Sequence, residues 1–410
     1  MVVGNGAREH AIAARLVAEG QNVISYQTKP NIGLHRICSS NIFGINYDAR
    51  KIVASAKSEK VDVIIPGVEQ AIFSGVSDIA EHESIFCYAP KSVAAKLESD
   101  KLFAKKIVST MHPSLIIPYI STTNEQSIIE FAQSCNLSVV LKSFGDASQL
   151  AVSIIHNKNV DIIVKQAQEY IKASGGVIAE KFIIGQDFSV YCFTDGNNIY
   201  FPKVVRDYPF KLEEDTGEKT GGMGCVSANG LLPYITHRDY QIAIDCMSNT
   251  LKYLKTSQID YKGILVGQFI KGNDGSVYFN EYDVRPGDPE IINVLASLDS
   301  KFTTIVTQTK SGTLEKPIIS SACIVSICHT PANYPNESTP QKITIPEEKG
   351  IFFGDIHQID DTTAETGKGR SFVVVGTGLS VEEARQNALT RSNQLSTHLY
   401  YRKDIGKFVS

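Results

Sequence analysis

Strand-like and helix-like segments alternate through the first 90 residues, and that alternation restricts the fold more than any other feature of the chain. Residues 1–3 read as a strand stub, the turn Gly4-Asn5-Gly6 follows, and residues 7–19 carry a helical pattern. Strands at 22–26, 61–66 and 84–88 are interleaved with helices at 51–59 and 74–82. Parallel neighbours need a crossover connection, so a chain that alternates in this way builds a parallel sheet with helices over its faces. Met1 leaves two residues before Gly4, and so short an opening strand carries the expectation of a natural start further upstream.

After Ala89-Pro90 the pattern changes. A charged helix is expected over 92–108, followed by strands at 139–142, 176–182, 189–194 and 199–205. Residues 240–256 read as a long amphipathic helix, and 264–271 with 277–281 as a hairpin across Gly272-Asn273-Asp274-Gly275. Strands at 322–328 and 372–376 and a helix at 381–395 form a smaller tail.

At 410 residues, 42% of them hydrophobic and 20% charged, the chain has room for two to four domains of ordinary size. A net charge of −4, with basic residues scattered, argues against a nucleic-acid partner held through counterion release. The absence of any apolar run of 18 residues argues against a membrane span. Arg8, Glu9 and His10 do not suit a signal peptide, and the eight cysteines include no CxxC pair, so a reduced, cytoplasmic setting is expected. The histidines lack ligand-like spacing, which makes zinc improbable.

The chemistry is concentrated in four segments. In Asn280-Glu281-Tyr282-Asp283-Val284-Arg285-Pro286-Gly287-Asp288-Pro289-Glu290, Glu281, Asp283 and Arg285 fall on one face of a strand. Two convergent carboxylates repel unless a cation lies between them, and Mg²⁺ bound by one or two carboxylates plus phosphate oxygens is the usual solution. The Arg285 fork suits a carboxylate or phosphate. A solvated acidic strand edge closed by a turn is the plainer alternative. Asp215-Thr216-Gly217-Glu218-Lys219-Thr220-Gly221-Gly222-Met223-Gly224 has bare backbone that could aim N–H groups at an anion, or could be a flexible surface turn. Gly4-Asn5-Gly6 opens a helix whose N-terminus favours phosphate, although Glu9 stands where a full dinucleotide fingerprint has its third glycine. Residues 177–187 end a buried strand in a mixed polar stretch that could read an adenine edge, with Asp187 available to ribose hydroxyls.

These segments, in this order, resemble the phosphoribosylamine–glycine ligases, a family of ATP-grasp enzymes. The matching motifs are GNGAREHA at 4–11, PGVEQAIFSG at 66–75, DTGEKTGGMG at 215–224, NEYDVRPGDPE at 280–290 and YRKDIG at 401–406. The resemblance implies an α/β and α+β multidomain protein. It has a Rossmann-like N-terminal domain (1–95), a two-lobed ATP-grasp region (96–310) and a small C-terminal α+β domain (311–410). It further implies that glycine and ATP give glycyl phosphate, which the amine of 5-phosphoribosylamine attacks. The protein would be a monomer or weak homodimer.

The resemblance assigns Mg²⁺ (or Mn²⁺) to Glu281 and Asp283, the second being usually Asn in the family, and the reacting carboxylate and phosphate to Arg285 and Asp288. ATP phosphates fall to Lys101 and Lys142, the adenine hinge to Glu180, Lys181, Phe182 and Ile183, and the ribose to Asp187. Gly4, Asn5, Gly6 and Glu69 match the phosphoribosylamine side, and Asp207 with Thr220, Gly221, Gly222, Met223 and Gly224 the loop between the two substrates. Asp207 or Glu290 is expected to take the amine proton.

Two departures stand out. The family's ATP lid carries Gly-Lys-Gly, which is missing from residues 142–152. Where the family has Gln-Asp-His-Lys-Arg, this chain has Arg206-Asp207-Tyr208-Pro209-Phe210, so Lys203, Arg206 or Lys211 would have to restore the lost charge. They keep two alternatives open, another ATP-grasp carboxylate–amine ligase and a weakened nucleotide-binding paralogue.

Overall fold

The computed structural model describes residues 1–144, 152–156, 158–336, 339–346, 349–395 and 397–408. Residues 145–151, most of the altered lid stretch 142–152, lie outside them.

The amino-terminal unit runs β1 (Val2–Val3), α1 (Ala7–Ala18), β2 (Ile24–Gln27), α2 (Ile32–Ile37), β3 (Ser40–Phe43), α3 (Ala49–Ser58), β4 (Val63–Pro66), α4 (Glu69–Phe73), α5 (Val76–His82) and β5 (Phe86–Cys87). Its five strands form one parallel sheet in the order β3-β2-β1-β4-β5. The expected alternation is therefore present, with β1 at the centre and the Gly4-Asn5-Gly6 turn at its carboxyl end. Turns at that end of a parallel sheet are where open α/β folds place ligands.

The helix expected over 92–108 is two helices, α6 (Ser92–Ser99) and α7 (Lys101–Met111). Asp100 is extended between them, and its carboxylate caps α7 by accepting from the N–H groups of Leu102 and Phe103. The break places Lys101 on the first turn of α7. A four-stranded antiparallel lobe follows, with β6 (Tyr119–Thr122), α8 (Glu125–Ser134), β7 (Val139–Ser143), β8 (Ser153–Ile155), α9 (Val160–Ser174) and β9 (Val177–Lys181) in strand order β6-β9-β7-β8. Ile128, Ala132, Leu141, Ile163, Ala167 and Ala179 fill its own small core.

The rest is built on one large sheet. Its first part comprises β10 (Gly185–Thr194), β11 (Ile199–Tyr200), β12 (Val204–Asp207), a side hairpin of β13 (Phe210–Leu212) and β14 (Thr216–Lys219), then β15 (Gly224–Ser227), α10 (His237–Thr256), β16 (Gly263–Gly272) and β17 (Val277–Asp283). α11 (Glu290–Ala296) and α12 (Phe302–Ser311) lead to β18 (Cys323–His329), β19 (Lys342–Thr344), β20 (Ile351–Phe353), β21 (Ile356–Gln358), β22 (Thr363–Thr366), β23 (Phe372–Gly378) and α13 (Val381–Gln394). The sheet order is β17-β16-β10-β12-β15-β18-β23-β20, with β11 on β10. Strands from both sides of residue 310 thus share one ladder, joined where β15 pairs with β18. The single strand expected at 199–205 is two, with Pro202 between β11 and β12.

A continuous apolar core runs from Val3 and Ile64 through Phe269 and Phe279 to Val325 and Ala384. Polar clamps add to it. Arg15 on α1 donates to the carbonyls of Leu295 and Leu298 at 3.1 Å and of Ser300 at 2.8 Å, and Glu19 accepts from the N–H groups of Phe302 and Thr303 at 2.8 Å. The α1 carboxylate therefore caps α12, and the amino-terminal sheet is fixed against the large one.

Two buried histidines bear on acid stability. His10 Nδ1 accepts from the Phe353 N–H at 2.9 Å, and burial, helped by Arg36, pulls its pKa from 6.5 to about 4. His329 lies 4.7 Å from the Phe372 ring and 4.5 Å from the Tyr401 ring, and burial pulls it to about 3. The unfolded chain binds these protons near pH 6.5 and the folded chain does not. Stability is therefore complete above that pH and falls as pH drops below it, with a slope of up to about 1.4 kcal/mol per pH unit for each group. Urea midpoints of wild type and His329→Phe between pH 6.5 and 5 check this: the variant is expected to show the shallower decline.

Candidate functional site

A cleft of about 450 Å³ lies between the four-stranded lobe and the large sheet. The β16–β17 hairpin forms its floor. Pairing runs Phe269 to Phe279 and then Gln268 to Glu281, so Asn280 is an extra residue in β17. This bulge changes the facing of the strand. Phe279 and Tyr282 both enter the core, while Asn280, Glu281 and Asp283 all line the cleft, with Arg285 just beyond the strand. Period-two alternation anticipated Glu281, Asp283 and Arg285, but not Asn280.

Glu281 Oε2 accepts from Lys101 Nζ at 2.7 Å. Lys142 Nζ donates to Asn280 Oδ1 at 2.8 Å and lies 3.1 Å from Glu180 Oε2, while Lys105 Nζ lies 3.0 Å from Glu180 Oε1. Burial alone would raise the Glu281 pKa, but Lys101, Lys142 and Lys219 together hold it well below the usual carboxylate range. Glu281 is therefore a fixed anion on the cleft wall. Asp283 Oδ2 accepts from Gln268 Nε2 at 2.7 Å, and its Oδ1 lies 3.5 Å from Arg285 Nη2. Among the described residues no group of three or more His, Cys, Asp or Glu side chains could hold an ion alone. Two hard oxygen donors on one wall fit a Mg²⁺ ion that completes its shell with phosphate and water.

Glu180 is 1% exposed and its carboxylate is turned onto Lys105 and Lys142 in the cleft wall, while Lys181, Phe182 and Ile183 form the more exposed edge of the hinge. Val140, Val152 and Ile154 supply apolar surface opposite, and Asp187 lines the same cleft. Tyr234 donates its hydroxyl to the Asp187 carbonyl at 2.6 Å.

Arg285 is central to the far end. Its Nε lies 3.6 Å from Glu69 Oε2, and its Nη2 lies 3.6 Å from Glu98 Oε1. Glu69, at the start of α4, thus meets Arg285 from the amino-terminal sheet. Glu98 also accepts from the Val284 N–H at 2.7 Å, and burial pushes its pKa up to about 8 against the pull of Arg285. Gly4, Asn5 and Gly6 are not on the cleft wall. They sit behind it, where Arg8 Nη1 donates to the Pro286 carbonyl at 2.9 Å and a Cβ on Gly6 would lie 3.3 Å from Asp288 Oδ2. The Gly6 N–H donates to Glu9 Oε2 at 2.6 Å, so this chain's own carboxylate occupies the turn.

The glycine-rich loop behaves differently from an open anion nest. Thr220 N–H donates to the Pro209 carbonyl, Gly221 to the Tyr334 hydroxyl, Gly222 to Thr220 Oγ1 and Met223 to the Tyr208 carbonyl. Thr220 and Gly221 line the cleft, whereas Met223 is fully buried and Gly224 is a sheet residue of β15. Glycine is required at 222 because φ is +102° and a Cβ would lie 2.7 Å from Asp207 Oδ1. Arg370 holds the loop from the carboxyl-terminal part. Its Nη1 donates to the carbonyls of Gly221, of Gly222 at 3.2 Å and of Asp288 at 2.8 Å, and its Nη2 lies 2.9 Å from Asp288 Oδ2. One guanidinium thereby ties the 220–224 loop to the 285–290 segment.

Burial pushes the Asp207 pKa well above the usual carboxylate value, with Glu290 adding to the shift and Arg370 opposing it. Burial and Asp283 push Glu290 up to about 7 against Arg285, while Ser189 donates to its Oε1 at 3.1 Å. Two carboxyl groups with raised pKa values therefore share the end of the cleft occupied by Arg285 and Asp288.

A sequence profile of the phosphoribosylglycinamide synthetase N domain matches residues 1–98, and one of the ATP-grasp (A) domain of the same enzyme matches residues 99–291. The chain belongs to the phosphoribosylglycinamide synthetase family. A phosphoribosylamine–glycine ligase of Methanobrevibacter smithii is 31% identical, over 99% of this chain and 95% of that protein. A second from Pyrococcus furiosus is also 31% identical, over 99% and 94%. The crystal structure of the phosphoribosylamine–glycine ligase of Thermotoga maritima superposes with a TM-score of 0.82 at 23% identity, covering 98% of this chain and 99% of that one. At that identity the likeness concerns the fold.

Sequence reading of this phosphoribosylglycinamide synthetase family member missed Lys105, Lys219, Gln268, Asn280, Glu98 and Arg370. Lys105 sits four residues after Lys101 on α7, a helical spacing that places both on one face. Arg370 follows a Gly-Lys-Gly turn, with no local sign that it contacts residues 148 positions earlier. Of the three basic residues offered as replacements for the lost cations, Arg206 alone lines the cleft, where it lies 2.9 Å from Asp215 and 4.5 Å from the Tyr208 ring centre. Lys203 reaches the Ala322 carbonyl, and Lys211 is enclosed by Thr330, Pro331 and the rings of Tyr334 and Tyr400.

Proposed function

We propose that this protein joins glycine to 5-phosphoribosylamine at the expense of ATP, giving glycinamide ribonucleotide, ADP and phosphate. The observation that carries the proposal is the single cleft in which Glu281, Asp283, Lys101, Lys142, Arg285 and Asp288 converge. Their place in a family whose full-length relatives bear that enzyme's name supports it. Its small-molecule partners are ATP, glycine and 5-phosphoribosylamine. Among the described residues no helix is long and apolar enough to cross a membrane. The eight cysteines are free thiols, and a reducing, cytoplasmic setting is part of this reading.

A carboxylate is a poor electrophile. Phosphorylation converts one of its oxygens into a leaving group, and the demand on the protein is positioning and charge neutralisation rather than covalent chemistry. Val140 and Ile154 pack against the adenine, with the 181–183 edge offering backbone groups, and Lys101 and Lys142 turn from their carboxylate partners to the phosphates. Glu281 and Asp283 would hold Mg²⁺, which would supply positive charge to the phosphates. Arg285 orients the glycine carboxylate for attack on the γ-phosphorus, expelling ADP. The phosphoribosylamine nitrogen, arriving from the Glu69 side, then attacks the carbonyl carbon of glycyl phosphate, and the C–O bond to phosphate breaks. Glu290 or Asp207, whose carboxyl groups line this end of the cleft with pKa values raised by burial, takes the proton that the nitrogen loses.

Phosphate release followed with ATP, Mg²⁺, glycine and fresh 5-phosphoribosylamine tests this. Release is expected to need all of them, and replacement of glycine by alanine is expected to stop it. Full activity without 5-phosphoribosylamine, or with another amine only, would favour a different ATP-grasp ligase.

A further inference from the structure

We propose that Lys219 is a phosphate-binding residue that places a positive charge on the β- and γ-phosphates from the large-sheet side of the cleft. The inference rests on the nucleotide reading above. Among the described residues, the other cations towards the metal end of the cleft already have anionic partners, while Lys181 stands at the adenine edge. Lys101 is paired with Glu281, Lys142 with Glu180, Arg206 with Asp215, and Arg285 with Glu69, Glu98 and Asp283. A triphosphate adds several negative charges to a wall whose own positive charge is largely spent. Lys219 lines the same cleft, and its ammonium forms no hydrogen bond or ion pair among the described residues.

Its position fits the task. Lys219 ends β14, paired with Phe210 across the β13–β14 hairpin. It lines the cleft together with Glu281 and Asp187. Glu281 stands at the metal end and Asp187 at the ribose end, so a cation on the wall they share is within reach of the phosphate chain between them. The hairpin is anchored rather than loose. Asp215 lies 2.9 Å from Arg206 and 2.9 Å from Arg402, and the Glu214 N–H donates to Asp404 at 2.9 Å. Held in this way, Lys219 needs little further ordering to meet a ligand. It would replace charge lost elsewhere in this chain, where the lid has no Gly-Lys-Gly and Pro209 and Phe210 stand in place of cations.

Calorimetric titration of wild type, Lys219→Met and Lys219→Arg with ATP and with AMP, in Mg²⁺, tests the proposal. A charge-assisted contact is expected to be worth about tenfold to hundredfold in affinity. Lys219→Met is expected to lose that much for ATP and no more than about twofold for AMP, which lacks the distal phosphates. Lys219→Arg is expected to recover most of the ATP affinity. Equal ATP affinity in wild type and Lys219→Met would overturn this role alone, as would an equal loss for AMP. Wild type that binds no ATP would overturn it together with the ligase reading.

Discussion

Glu281→Gln is expected to lower phosphate release by about a thousandfold or more while the protein stays folded. Glutamine keeps the shape of the side chain and an oxygen acceptor for Lys101, so the β16–β17 floor has no reason to move. What it removes is a full negative charge that three lysines hold in place. Without it, the cleft wall attracts a divalent cation more weakly, and the phosphates lose a counter-charge that must be present as the γ-phosphoryl group transfers. Asp283→Asn should be far milder. Gln268 and Arg285 already engage that carboxylate, and an amide oxygen is itself an acceptable hard ligand. Circular dichroism and phosphate-release kinetics on both variants check the contrast.

Arg370→Ala carries the second large effect, argued from geometry rather than from contact with substrate. The guanidinium donates to three backbone carbonyls and one carboxylate, joining the loop at 220–224 to the segment at 285–290. Its loss frees both segments and leaves the Asp288 carboxylate without its cation. We expect kcat to fall about a hundredfold with the KM for ATP nearly unchanged, because Arg370 touches none of the residues proposed to bind the nucleotide. Arg370→Lys should rescue little, since one ammonium cannot reproduce a planar fork directed at several acceptors. A rise in the KM for ATP that matched the fall in kcat would instead assign Arg370 to nucleotide binding.

The parts of this molecule legible in the sequence were those set by local pattern. The strand–turn–helix at the start follows from alternation and glycine, and the β16–β17 hairpin from its Gly-Asn-Asp-Gly turn. The spacing of Glu281, Asp283 and Arg285 was legible because period two places them together. The rest depended on contacts that local pattern does not encode. Asp100 interrupts an apparently continuous helix because its side chain caps α7, and that break sets the position of Lys101. Asn280 joins the cleft through a bulge whose only sign lies in the partner strand's register. In the β13–β14 hairpin β14 is wholly exposed and the buried residue of the three-residue β13 is Lys211, so no hydrophobic period announced it. Arg8 and Arg370 act across 278 and 148 residues of chain. The glycines of the 220–224 loop suggested open N–H groups, but at Gly222 the requirement comes from a left-handed φ and the nearness of Asp207.

Oxygen transfer from glycine tests the central claim most directly. With glycine labelled with ¹⁸O in its carboxylate, the complete reaction run in unlabelled water is predicted to place one ¹⁸O in each phosphate released, because a carboxylate oxygen becomes the bridge to phosphorus and leaves with it. Phosphate carrying only unlabelled oxygen would mean that ATP is hydrolysed by water in this cleft, and would contradict the glycyl phosphate account.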